Sequence, residues 1–418
     1  MQIEDIYKLF LESKGVCTDS RQTKKNTIFF SLKGKNFNGN LFADQALSQG
    51  CSFCVIDDEK YKKSEKYILV DNVLICLQEL ASLHRSKLTC SLIAITGSNG
   101  KTTSKELISS VLRKKYNVLS TEGNLNNHIG VPLTLLKLNK SHQFAVIEMG
   151  ANHLKEIELL CEIAKPNFGI ITNIGKAHLE GFGSIDNILV GKTELYRYLD
   201  KNNGTVFVNN DDKKLSKSTY GLNSISYGSE SIYAPQITID DIYVNILCLG
   251  ITFKSNLIGK YQKFNLALAI CIGDYFKIDK FLIQEAIQNY IPKNNRSQII
   301  KTKRNKVLMD AYNANPNSMR ETINYFDYIN YEKKFLILGD MLELGDTSEK
   351  EHKEIINLIT EKEYEFILVG DIFSSIKKEN SFKNVDSVPK KNLLELEKYF
   401  ILVKGSRSIT LEKILNYL

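Results

Sequence analysis

Short unbroken apolar runs alternate along this chain with segments in which apolar residues recur every three to four positions. Leu92, Ile93, Ala94 and Ile95 form one such run, and Leu107, Ile108, Val111 and Leu112 follow at helical spacing. Phe144 to Ile147 and Gly169 to Thr172 repeat the strand pattern, each followed by a polar or glycine-bearing turn. This alternation predicts a doubly wound parallel sheet, whose ligand site lies at the carboxyl ends of its strands. Residues 205 to 258 are poorer in helical periodicity and predict extra strands. After Pro292 a second α/β series begins, with strands expected at Val307 to Met309, Phe335 to Leu338, Phe366 to Val369 and Phe400 to Val403. The stretch before residue 88 mixes short apolar runs with loops rich in Gly, Asn and Ser, notably Ser31 to Asn40, and reads as a small α/β unit. The expectation is an α/β chain of three domains, at 1–87, 88–293 and 294–418.

Composition narrows the class. A chain of 418 residues has room for three cores, and 43% hydrophobic with 25% charged residues is the balance of a soluble globular protein. No stretch of 18 apolar residues occurs, and Gln2, Glu4 and Asp5 break up the start, so neither membrane insertion nor a leader is expected and the expected location is the cytoplasm. Eight scattered cysteines in apolar segments suit reduced, buried thiols; Cys51 and Cys54 read as a small buried thiol pair, since no second pair at zinc spacing follows. The net charge of +7 fits nucleic-acid binding or anionic small ligands. The lysines are dispersed without a basic stripe interleaved with aromatics, which favours no nucleic-acid partner.

The chemistry concentrates at strand ends. Ala94 to Thr103 reads Ala-Ile-Thr-Gly-Ser-Asn-Gly-Lys-Thr-Thr, an apolar run opening into a glycine-bearing loop and then a helix. At such a junction backbone N–H groups and the helix dipole face an anion; Lys101 would reach the β- and γ-phosphates and the Thr102 hydroxyl would sit on Mg²⁺. The generic pattern wants a glycine where Ile95 stands, and Gly97 supplies the earlier glycine instead. Glu148 ends one strand and His178 follows another, positions that serve either a Mg²⁺ ligand or a capping residue. Lys192, by itself, reads as a solvated helix lysine. Asp310 opens Asp-Ala-Tyr-Asn-Ala-Asn-Pro, a turn that is either structural or holds a ligand's polar edge, and Lys-Gly-Ser-Arg at 404 to 407 is a second anion-friendly strand end.

These motifs, with Gly123 to Pro132, Ile147 to Gly150, Asn173 to Gly181 and Leu338 to Gly345, keep an order and spacing that resembles the Mur ligases of peptidoglycan synthesis. The Asp-Ala-Tyr-Asn-Ala-Asn-Pro and Gly-Asp-Met-Leu-Glu-Leu-Gly runs point to the branch that joins D-alanyl-D-alanine to UDP-N-acetylmuramoyl-tripeptide. The resemblance implies a small N-terminal domain for the UDP-sugar, a central P-loop ATPase domain and a Rossmann-like C-terminal domain. It also implies an ATP-dependent ligase working through an acyl phosphate, with cell-wall synthesis as its setting. By motif match Gly97, Ser98, Asn99, Gly100, Lys101, Thr102 and Thr103 would hold the triphosphate, with Asn265, Arg296 and Asp310 completing the nucleotide contacts. Thr102 and Glu148 would hold one Mg²⁺ and His178 a second, and Lys192 matches the lysine that becomes carbamylated and supports the metal. Asp19, Ser20 and Arg21, with Asn124 and Asn127, match the region that grips the UDP substrate. The family usually shows Asp-Gly-His where Asn38-Gly39-Asn40 stands, and His-Asn where Tyr261-Gln262 stands. Nothing here demands more than a monomer.

Overall fold

Strand Ser91–Thr96 buries all of its residues but the first, which is why it reads as an unbroken apolar run. In the computed structural model, which describes residues 1–418, it lies inside a six-stranded sheet whose pairings are all parallel. The spatial order is Ser224–Tyr227, Thr205–Asn209, Phe168–Ile171, Ser91–Thr96, Phe144–Glu148, Val118–Ser120. The chain first builds to one side of Ser91–Thr96 and then to the other. Strand order reverses there, and a crevice opens at its carboxyl end. Helix Lys101–Leu112 follows, with Leu107, Ile108, Val111 and Leu112 fully buried, and packs on helix Gln262–Tyr275.

Of the extra strands expected over 205 to 258, two extend the parallel sheet, and Gln236–Asp240, Tyr243–Cys248 and Ile251–Phe253 form a separate antiparallel meander. Its second turn has Leu249 and Gly250 both at positive φ, as a tight two-residue hairpin requires. Before the central sheet stand four parallel strands, Val16–Cys17, Ile28–Phe30, Phe53–Ile56 and Tyr67–Leu69, followed by helix Val73–Ser86. Beyond it lies a second six-stranded sheet, ordered Gln298–Lys301, Lys306–Asp310, Phe400–Lys404, Lys334–Gly339, Glu365–Val369, Ser381–Phe382, parallel except for its first pair. Strand Phe400–Lys404 inserts between two earlier strands, so Lys404 sits in register with both Asp310 and Leu338.

These four sheets share their interiors. One apolar core runs from Ile108 through Phe253 of the meander to Phe326 and Phe400, and another joins Ile28 and Phe30 to Ala94 and Ile147. No helix is long and apolar enough to cross a membrane. All eight cysteines are free, and Cys51 and Cys54 are both buried in one small core, as expected. Cys54 lies inside its strand and donates to the Ala43 carbonyl, whereas Cys51 precedes the strand and turns its Sγ to within 3.8 Å of that of Cys17.

Two of the sequence runs meet backbone to backbone. A Cβ on Gly405 would lie 2.8 Å from the Gly339 Cα, so the strand ends of Leu338 to Gly345 and Lys404 to Arg407 can approach only as glycines. Gly405→Ala should therefore destabilise the protein by about 1–3 kcal/mol, read as a lower urea midpoint. Gly34→Ala, at a site with open space around it, serves as the neutral control.

Candidate active site

Between Thr96 and Lys101 the chain turns through four residues that are held from several sides. Gly97 has φ +136° and leaves no space for a side chain, since a Cβ would meet Thr172 Oγ1 at 2.1 Å. Gly100, at φ +80°, caps the helix and would press on Asn265 Oδ1. Asn99 is pinned between them. Its N–H donates to Asn173 Oδ1 at 3.0 Å, and its carbonyl accepts from Thr172 Oγ1 at 2.6 Å and Asn173 Nδ2 at 3.0 Å. Beneath the loop Ser104 donates to Asn265 Oδ1 at 3.0 Å, and Asn265 donates to Gln262 at 2.6 Å, so Gln262 takes part in supporting the loop.

Lys101 curls over this loop, donating to the carbonyls of Gly97 at 2.6 Å and Ser98 at 3.2 Å. Burial pushes its ammonium below the ordinary lysine value; Glu148 and Glu343 oppose this and Arg296 adds to it. Glu148, 2% exposed, accepts from Thr102 Oγ1 and Asn126 Nδ2, both at 2.8 Å, and has no cationic partner. A buried carboxylate served only by neutral donors suits a cation. His178 has φ +56°, an uncommon conformation for histidine. Its Nδ1 lies 2.5 Å from Glu343 Oε2 but off the hydrogen-bonding axis, so the nitrogen has no aligned partner. That proximity holds the Glu343 carboxyl below its usual range.

These groups face one cavity of about 1700 Å³. Only nine of its 47 lining residues are hydrophobic, which suits a charged, extended ligand. Ser98 to Thr103, Glu148, His178, Asn265, Arg296 and Asp310 all line it, as do Asn124 and Asn127, while Leu74 and Gln78 bring the first unit to its rim. Gly97 stands behind the loop. Lys192 also lies behind the wall, and it is not solvated: it is 1% exposed, donates to the Ala151 carbonyl at 3.1 Å and sits over the Phe182 ring. Burial, reinforced by the Lys101 charge, pushes its amine down to about 7. Asp310 pairs with Lys404 and accepts from the Ser297 N–H at 2.9 Å, so its turn is structural as well as cavity-facing.

Asp19, Ser20 and Arg21 are not among the lining residues. Asp19 accepts from Arg21 in a two-pronged pair at 2.9 Å, which holds its carboxyl down at about 2. Asn40 is buried, bonded to Asn38 at 2.9 Å and Asp57 at 2.8 Å, and so braces its own loop. The sequence reading missed Asn126, which touches Glu148 where its neighbours Asn124 and Asn127 do not. It also missed Glu343, Tyr312 and Arg407, whose only sequence signal was membership of the runs around 310, 338 and 404.

Family models match over two stretches: the Mur ligase middle domain at 95–273, and the Mur ligase glutamate ligase domain at 295–407. The UDP-N-acetylmuramoyl-tripeptide--D-alanyl-D-alanine ligase of Bacillus subtilis is 33% identical, across 96% of this chain and 92% of its own. Its counterpart in Buchnera aphidicola subsp. Baizongia pistaciae is 36% identical with the same coverage. Among solved structures, the MurF ligase of Thermotoga maritima in complex with ADP superposes with a TM-score of 0.85 at 26% identity, covering 98% of this chain and 97% of that one. The chain belongs to the Mur ligase family.

In this Mur ligase the C-terminal unit is latched onto the loop side of the central one. Asn315, which caps helix Pro316–Tyr328, donates to Asn99 Oδ1 at 2.6 Å. Glu351, 3% exposed, takes Lys176 of the central unit on one oxygen and Arg320 on the other, both at 2.6 Å. Burial alone would raise its carboxyl, but these two cations outweigh it and hold it below the usual range. The pair's stabilisation is therefore present above the unfolded carboxyl value and lost as pH falls through the folded one. Glu351→Gln should loosen the latch, seen as a larger radius of gyration by solution scattering with unchanged circular dichroism. An unchanged radius would mean that the contacts at Asn99 and His178 suffice to hold the units together.

Proposed function

We propose that this ATP-dependent ligase joins D-alanyl-D-alanine to UDP-N-acetylmuramoyl-tripeptide, giving the pentapeptide precursor with ADP and phosphate. The observation that carries the reading is the loop from Gly97 to Thr103 opening, beside Glu148, onto a polar cavity bordered by all three units. The names of the relatives above supply the substrates. We assign residues 1–87 to the UDP-sugar, 88–293 to ATP and 294–418 to the dipeptide and part of the nucleotide. The reaction belongs in the cytoplasm, and one chain supplies every group it needs, so the monomer is sufficient.

A free carboxylate is a poor electrophile, and transfer of the ATP γ-phosphoryl group to the tripeptide's terminal carboxylate turns one oxygen into a leaving group. The dipeptide amine then attacks the acyl phosphate, forming the amide and releasing phosphate. Lys101 would leave the Gly97 and Ser98 carbonyls to meet the phosphates, acting by position and charge. The N–H groups at the start of helix Lys101–Leu112 orient the same oxygens. Arg296, stacked at 3.4 Å on Tyr312, would add positive charge, and Asn265 supports the loop from below through Ser104. Asp19, Ser20 and Arg21 would meet the distal UDP end, and Asn124 and Asn127 the peptide.

Mg²⁺ fits the donor set: Thr102 and Glu148 would hold one ion and His178 a second, with phosphate oxygens and water filling their shells. When bound, it neutralises charge on the phosphates as the phosphoryl group passes. Lys192 fits a carbamate, because an amine at about 7 is substantially neutral near neutral pH and can take up CO₂ with loss of a proton. The carbamate would replace a buried cation with a carboxylate that can support the metal.

Purified protein with Mg-ATP should release phosphate only when both the tripeptide and D-alanyl-D-alanine are present, with the pentapeptide detected by mass. Release with a single amino acid would move the assignment to a sister ligase. Lys101→Ala should lower turnover by at least about 1000-fold while the circular dichroism spectrum is kept. With ¹³C-bicarbonate, a carbamate resonance should appear and grow as pH rises through about 7, and be missing in Lys192→Ala, whose activity short carboxylates should partly restore. A signal that survives the substitution would remove Lys192 from this role.

A further inference from the structure

Two guanidinium groups in the cavity, Arg296 and Arg407, enter none of the ion pairs of the molecule. Both rest against one ring: the Arg296 guanidinium carbon lies 3.4 Å and that of Arg407 4.9 Å from the Tyr312 centroid. Two like charges on one aromatic side chain are tolerable when each has an anion to meet. The proposed reaction brings two kinds of anion to this wall, the triphosphate and the carboxylate of the incoming dipeptide. Arg296 lies the nearer of the two to the Tyr312 ring and is the one assigned above to the phosphates, which leaves Arg407 for the second anion.

Arg407 also has a rigid mount. Lys404 is committed to Asp310, Gly405 is wedged against Gly339, and the Ser406 hydroxyl accepts the Leu342 N–H at 3.0 Å. Only the fourth residue of that run projects a free, exposed charge into the cavity. The remaining lining, which includes Leu74, Gln78 and Asn126, is left to the tripeptide.

The geometry points to Arg407 as the residue that binds the C-terminal carboxylate of the incoming dipeptide, and so sets the acceptor's length; this rests on the function proposed above. A guanidinium grips a carboxylate with two parallel hydrogen bonds, which fixes distance as well as charge. With the amine held at the acyl phosphate, a single amino acid would present its carboxylate short by one residue, about 3.5 Å, and out of reach of a fixed fork. Specificity for a dipeptide then needs no steric exclusion of smaller acceptors.

The test compares D-alanyl-D-alanine with its C-terminal amide in the wild type, Arg407→Gln and Arg407→Lys. The wild type should prefer the acid strongly. Arg407→Gln should lose on the order of 100-fold in kcat/KM for the acid, mainly through KM, while the amide stays within about threefold and the KM for ATP is unchanged. Arg407→Lys should recover part of the preference. An equal loss for acid and amide, or a raised KM for ATP, would overturn the assignment in favour of a structural or nucleotide role. Wild-type protein that ligates neither acceptor would instead defeat the functional reading itself, before any variant is made.

Discussion

The hydrogen bonds that pin Asn99 are the constraint on which the rest of the site depends. A loop that wraps a triphosphate cannot spend all its backbone N–H groups on the protein, yet it must not collapse when the ligand leaves. Here the N–H groups of Ser98 and Asn99 are used, both on Asn173, and those at the helix start stay available. Thr172 and Asn173 come from the neighbouring strand end, Asn265 from the helix beneath and Asn315 from the far unit. The loop is thus shaped by residues drawn from across more than two hundred positions of sequence.

Three buried lysines and the half-buried Lys101 show how differently one chemical group is accommodated in this molecule. Lys404 meets Asp310 in an ion pair, and Lys105 gives its proton donors to Glu106 at 2.8 Å and to the Thr121 carbonyl. Lys101 turns to loop carbonyls that an arriving phosphate can replace. Lys192 has a single carbonyl, and its amine accordingly falls toward neutrality. The two that are least well satisfied are those to which the chemistry is assigned, and the two that are paired hold architecture. Strain and incomplete satisfaction at a site are a common signature of function.

Much of this was legible in the sequence. The strands at Leu92, Phe144, Val307, Phe335 and Phe400 are buried on both faces, and such strands announce themselves as apolar runs whatever surrounds them. The loop residues declared themselves by glycine placement. What escaped was anything decided by side-chain direction or by pairing across units. Nothing in the run from Asn124 to Asn127 says that Asn126 faces Glu148, because that depends on a turn rather than a period. Lys192 looked like a surface lysine because helix Ile185–Lys192 ends at a wall that only the tertiary fold supplies. The approach of the Cys51 thiol to that of Cys17 likewise depends on tertiary packing that spacing does not show.

Strand Phe400–Lys404 is last in chain order within its sheet yet central in space, flanked by Lys306–Asp310 and Lys334–Gly339. The two earlier strands cannot hydrogen-bond to each other across its place. Until that segment threads in, Asp310 lacks Lys404, the turn after Gly339 lacks its glycine neighbour, and the wall bearing Arg407 does not exist. Such long-range closure is slow compared with local helix and hairpin formation. A chain emerging residue by residue would therefore have the Thr172, Asn173 and Asn265 supports of its phosphate loop in place well before Asn315, Asp310 and the acceptor side complete the site.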